Sequence, residues 1–132
     1  MLCVMVLSAS VTVTRDGRYV AVIRGVLGSL LDGAQAPVEV VDDLTVAVGE
    51  ACANVVRHAS GSEAYRVELE VAQEHCVVEV VDDGPGFRPP PDRTPGPDAE
   101  AGRGIALMRA LTDELEFSQA DSRMRVRMSR VW

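Results

Sequence analysis

At 132 residues the chain has the size of one ordinary domain, and its 47% hydrophobic and 25% charged residues exclude a disordered chain. A chain of this length buries roughly two-thirds of its unfolded surface, so it needs no metal or disulfide to hold a core. Acidic residues number 20 against 13 basic ones, a net charge of −7 that excludes a general nucleic-acid binder; all 13 basic residues are arginine, which excludes every chemistry built on lysine.

Cys3, Cys52 and Cys76 are odd in number and form no CxxC pair, the pattern of free thiols in a reducing compartment. The apolar start Met1–Leu7 has no basic residue before it and is too short for a secretory leader. No apolar run approaches the roughly 20 residues that cross a bilayer. A soluble cytoplasmic domain covering residues 1–132, with no membrane partner, is the expectation.

Residues 2–14 are rich in Val and Thr and alternate near their end, which predicts an edge strand or two. Over 16–32, Val20, Ile23, Val26, Leu27, Leu30 and Leu31 recur at three- and four-residue spacing, an amphipathic helix. Gly33–Pro37 breaks the pattern. A second helix is predicted from Val38 to about Ala59, with Asp42 and Asp43 near its start and Gly61-Ser62 beyond its end. Residues 64–72 alternate, with Tyr65, Val67, Leu69 and Val71 on one face and Arg66, Glu68 and Glu70 on the other. Gln73-Glu74 makes a tight turn into an apolar strand, His75–Val81.

Asp82–Ala101 then holds six of the seven prolines, and a stretch of that length inside a small domain reads as a functional lid, placed at about 87–101. A third helix is expected over Gly102–Glu114, followed by strands at Leu115–Phe117 and Met124–Met128 around a turn at Ala120-Asp121-Ser122. The order β-α-α-β-β-lid-α-β-β predicts an α+β two-layer sandwich: a mixed, mostly antiparallel sheet with helices on one face. An exposed apolar edge at the N-terminus predicts pairing as a homodimer.

Three clusters carry chemistry. Glu50, Asn54 and His58 recur every four residues and share one face of the second helix. Asn54 is the chain's lone Asn and lies mid-helix, where Asn is a poor choice, and Glu50 and Asn54 together present hard oxygen ligands suited to Mg²⁺. Asp82-Asp83-Gly84-Pro85-Gly86-Phe87 follows a buried strand: a carboxylate at a strand end accepts from an exocyclic amine, and the glycines admit a close ligand. Gly102-Arg103-Gly104 opens the third helix, offering backbone N–H groups and a guanidinium to phosphate. Singly these are a solvated helix face, a surface turn and a helix start. In this order they supply a Mg²⁺ ligand, an adenine acceptor and a phosphate cradle.

The pattern resembles the GHKL superfamily of histidine-kinase-like ATPases, with Glu50–His58 as its N box, Asp82–Gly86 as its DxGxG box and Gly102–Gly104 as its second glycine box. The phrases VGEACANVVRHA, VEVVDDGPGF and GRGIALMRALTDELEF are similar to the bacterial anti-sigma-factor serine/threonine kinases of partner-switching systems. The resemblance implies a Bergerat-type ATP-binding fold with ATP and Mg²⁺ as cofactors. It implies Glu50 as general base, Asn54 as the Mg²⁺ ligand, and Asp82 with Gly84 and Gly86 around adenine. Gly102, Arg103 and Gly104 would serve the phosphates and the lid, while His58 is read as structural. The implied partners are a sigma factor and a small anti-anti-sigma protein of the STAS type, the serine substrate. One departure stands out: relatives commonly carry Gly-Thr before the last strand, where this chain has Asp121-Ser122-Arg123-Met124. It leaves open a nucleotide-gated binding module without catalysis. Arg15, Arg18 and Arg24 read as solvated charges near the first helix, or as contacts for an acidic partner.

Overall fold

The Val/Thr-rich start forms a single strand, β1 (Val6–Thr14), along one edge of a sheet. The structure, a computed structural model, describes residues 5–58, 63–82, 99–120 and 123–132. After β1 the Asp16 side chain caps a short 3-10 turn, Gly17–Tyr19, by accepting from the Arg18 N–H, and the chain continues as α1 (Val20–Gly33). Helix α1 ends where Gln35 turns into the left-handed region, φ 58°, and α2 (Val38–His58) runs back alongside it. A two-residue turn then joins β2 (Ala64–Ala72) to β3 (His75–Asp82), with Glu74 in the left-handed region at φ 64°. Helix α3 (Ala99–Leu111), β4 (Glu114–Ala120) and β5 (Arg123–Val131) complete the described fold.

The strands lie in the order β1-β2-β3-β5-β4. Every pairing is antiparallel, not mixed as expected from the sequence. The cause is the connections. Helices α1 and α2 return the chain to the end where β1 finished, so β2 must run against β1. The single helix α3 sends β4 off in the direction of β3, and β5 inserts between them, antiparallel to both.

The helices cover one face of the sheet. Ile23, Leu27 and Leu31 of α1, Leu44, Val48, Cys52 and Val55 of α2, and Ile105 and Met108 of α3 are buried against Tyr65, Val67, Leu69, Val71, Val78, Val80, Val126 and Met128. The other face carries charge: Arg66 pairs with Glu68 at 2.7 Å, and Arg125 and Arg127 flank Glu79 at 3.4 and 3.9 Å.

Two boundaries differ from expectation. Helix α3 begins at Ala99, because Ala99-Glu100-Ala101 are strong helix formers without proline. It ends at Leu111, not Glu114. Thr112 Oγ1 donates to the Met108 carbonyl (2.7 Å) and Arg130 Nη1 to the Leu111 carbonyl (3.2 Å), so the helix's last acceptors are taken. The Asp113 N–H joins the Ser129 carbonyl of β5 at 2.8 Å, which starts the strand. Residues 99–101, expected in the lid, are therefore helix, and the rest of the lid to residue 98 lies outside the described residues. The last two strands run longer than predicted at both ends.

Candidate functional site

Helix α2 presents its apolar side to the sheet, and the spacing that buries Ala47, Ala51 and Val55 turns Glu50 and Asn54 toward α3. The approach of the two helices is close. A methyl group placed at Gly104 would lie 2.8 Å from Glu50 Oε2 and 3.8 Å from Asn54 Oδ1. Only a residue without a side chain leaves that room. Gly104 therefore acts within α3, in its second turn, and not as an opening N-terminal residue as expected; Gly102 closes the first turn.

Asn54 is 3% exposed, and among the described residues neither its Oδ1 nor its Nδ2 has a hydrogen-bond partner. A buried amide left so costs about 1–3 kcal/mol, and such groups persist where a ligand completes them. This is the fit expected of a Mg²⁺ ligand. Among the described residues no cluster of three or more His, Cys, Asp or Glu is able to hold a metal alone. Mg²⁺ keeps its waters and takes one or two protein oxygens together with substrate phosphate, so it asks little of the protein.

Beside this pair opens a cavity of about 370 Å³, lined by Glu50, Arg57, Arg103, Gly104 and Leu107. Arg57 is a residue the sequence reading missed. Its signal was present, since positions 50, 54 and 57 share a helix face. Arg57 and Arg103 are both exposed and give the cavity two guanidinium groups. A second depression, on the open sheet face between Ser8, Glu68, Glu79 and Arg127, holds none of the predicted site residues.

Asp82 ends β3 and is 1% exposed. Its Oδ1 accepts from Arg15 Nη2 at 2.6 Å, and Arg15 Nη1 donates to the Val55 carbonyl at 2.8 Å, one residue beyond Asn54. One arginine thus ties the strand end to the helix that carries Glu50 and Asn54. Arg15 is neither a solvated charge nor a contact for an acidic partner, because its side chain is 12% exposed. The alternation of β1 foretells this: Val11, Val13 and Arg15 point the same way. Arg18 and Arg24 are exposed, as read.

Glu50, Asn54, Arg103 and Gly104 are thus brought together, with Gly102 in the same helix and Asp82 joined to α2 through Arg15. Gly84, Gly86 and the turn at Asp121-Ser122 lie outside the described residues, as does the side chain of His58.

The profile of the histidine kinase-like ATPase domain matches residues 13–130. The serine-protein kinase RsbW of Bacillus licheniformis is 30% identical over 125 residues, which cover 85% of this chain and 78% of that protein. RsbW of Bacillus pumilus is 32% identical over 127 residues, with the same 85% and 78% coverage. Among solved structures, the RsbU and RsbW domains of a Mycobacterium tuberculosis protein match in fold with a TM-score of 0.73 at 16% identity, over 95% of this chain and 32% of that one. The histidine kinase domain of a blue-light-activated kinase from Erythrobacter litoralis matches with 0.58 at 18% identity, over 90% of this chain and 61% of that one. The chain belongs to the histidine kinase-like ATPase domain family, alongside the serine-protein kinases RsbW.

Proposed function

We propose that the protein is an anti-sigma factor with serine/threonine kinase activity, using Mg-ATP to phosphorylate a small STAS-type anti-anti-sigma protein. The observation that carries the site is the convergence of Glu50, Asn54 and Gly104 between α2 and α3, beside a cavity with two arginines.

Asn54 Oδ1 would hold Mg²⁺, which when bound neutralises phosphate charge. Glu50 lies half-buried at the cavity wall, with its carboxylate against the Gly104 backbone. A carboxylate so placed would take the proton from an attacking serine hydroxyl as its oxygen bonds to the γ-phosphorus, the bond to the β,γ-bridging oxygen breaks and ADP leaves. Arg57 and Arg103 meet the negative charge of the phosphates, a task other sites give to lysine and this lysine-free chain gives to arginine. Asp82 would accept from the 6-amino group of adenine and Gly102 would serve the phosphates; Gly84 and Gly86, outside the described residues, are assigned to the base by the family motif alone. Phosphoryl transfer is mainly positioning and charge neutralisation, which these residues are able to supply.

The acidic net charge favours a protein partner over nucleic acid. Among the described residues no helix is long and apolar enough to cross a membrane. Free buried Cys52 and Cys76 fit a cytoplasmic setting. Among the described residues the long edge strand β1 pairs on one side only, which supports a homodimer formed along that edge.

The test is transfer of label from Mg-[γ-³²P]ATP to a STAS-domain protein of the same genome. We expect Glu50→Gln to bind ATP yet transfer label about 100-fold more slowly or worse, the ordinary loss on removing a general base. Equal transfer by wild type and Glu50→Gln would refute the role of Glu50. ATP binding without any transfer by wild type would leave the nucleotide-gated binding module, the reading favoured by Asp121-Ser122 in place of Gly-Thr.

A further inference from the structure

We infer that Arg15 is a positioning residue for nucleobase selection: it fixes the Asp82 carboxylate as a hydrogen-bond acceptor and so sets the preference for a 6-amino purine over a 6-oxo purine. The inference rests on the proposed role of Asp82 at the base.

Arg15 is held at both ends. Its backbone N–H donates to the Glu63 carbonyl at 2.8 Å, directly beyond the Thr14–Ala64 pair that ends the β1–β2 ladder. Asp16 follows at once and caps the next turn, which sets the direction of the chain leaving Arg15. The guanidinium then spends one arm on the Val55 carbonyl and another on Asp82 Oδ1. A planar fork anchored on a helix carbonyl fixes the plane of the carboxylate it meets. The side chains are 12% and 2% exposed, so water does little to loosen the pair.

The chemistry of selection follows. A carboxylate facing a guanidinium accepts hydrogen bonds and donates none. The 6-amino group of adenine donates, whereas the 6-oxo group of hypoxanthine accepts and leaves two acceptors opposed. Without the guanidinium the carboxylate is released from that plane, and the advantage of the donating 6-amino group falls. Arg15 acts on the choice of base without touching the nucleotide.

The experiment is calorimetric titration of Mg-ATP and Mg-ITP, two nucleotides that differ at the 6-position of the base, into wild type, Arg15→Met and Arg15→Lys. Wild type is expected to prefer ATP by about tenfold or more, as for a site whose buried acceptor would otherwise go unpaired. Arg15→Met is expected to bring the two affinities within about threefold, and Arg15→Lys to fall between, because one ammonium does not span both acceptors. A purely structural Arg15 would weaken both nucleotides alike and leave the wild-type ratio; that result in Arg15→Met overturns the proposal. Should Arg15→Met not fold, an undiminished ratio in Arg15→Lys overturns it equally. Wild type that binds ATP and ITP alike, or neither, defeats instead the role of Asp82 on which the inference stands.

Discussion

Gly104 is the residue at which local preference and chemistry conflict most visibly. It lies inside α3, where alanine would stabilise the helix by about 1 kcal/mol. Yet a methyl group there would lie 2.8 Å from Glu50 Oε2. The atom in the way is the end of a flexible side chain, so the fold yields by moving Glu50, not by moving backbone. Gly104→Ala is therefore expected to keep or raise the thermal midpoint while lowering kinase turnover about tenfold or more, since misplacing a catalytic group is expensive in rate. A thermal melt and a turnover assay on the same preparation check this. A drop in both together would place Gly104 in the packing alone. Asn54 shows the same conflict from the other side, a buried amide without hydrogen-bond partners among the described residues.

At the scale of elements, α2 and the strands beneath it carry the stability. Cys52 faces the sheet from α2 and Cys76 lies in β3, both buried. Burial pushes each thiol up to about 12; for Cys52 the Tyr65 hydroxyl and Arg24 oppose the shift without cancelling it. A thiol of the unfolded chain loses its proton near pH 8.5, so the folded form holds the proton longer. The stabilisation is thus complete below about pH 8.5 and is lost as pH rises toward 12, at up to about 1.4 kcal/mol per pH unit for each thiol. The urea midpoint is expected to fall between about pH 8.5 and 10.5, and to fall less steeply in Cys52→Ala/Cys76→Ala. A midpoint level over that range would contradict the burial of the thiols.

The elements were legible in the sequence wherever one face is apolar and the other charged. Alternation at Tyr65–Val71 and the stripe Ile23–Leu27–Leu31 each admit a single period, and both form as expected. The C-terminal end of α3 was not legible, because its stop depends on Arg130 and Ser129, contributed from β5 by long-range pairing. The Arg15–Asp82 contact joins residues 67 apart in the chain. Periodicity places Arg15 on the inner side of β1, but nothing local says which acid it meets.

For the whole molecule, the proposed function requires a helix face and a strand end to serve one nucleotide site. Asn54 lies on α2 and Asp82 at the end of β3, and Arg15, just beyond β1, ties that strand end to the helix. Titration of Mg-ATP into wild type, Asn54→Ala and Asp82→Asn tests that convergence most directly, with circular dichroism to verify folding. Each substitution is expected to weaken binding by about tenfold or more, the loss of one buried polar contact. Asn54→Ala should melt no lower than wild type, because it removes a buried amide that the described residues leave unpaired. A folded variant at either position that binds Mg-ATP as tightly as wild type would show that these residues do not hold one nucleotide.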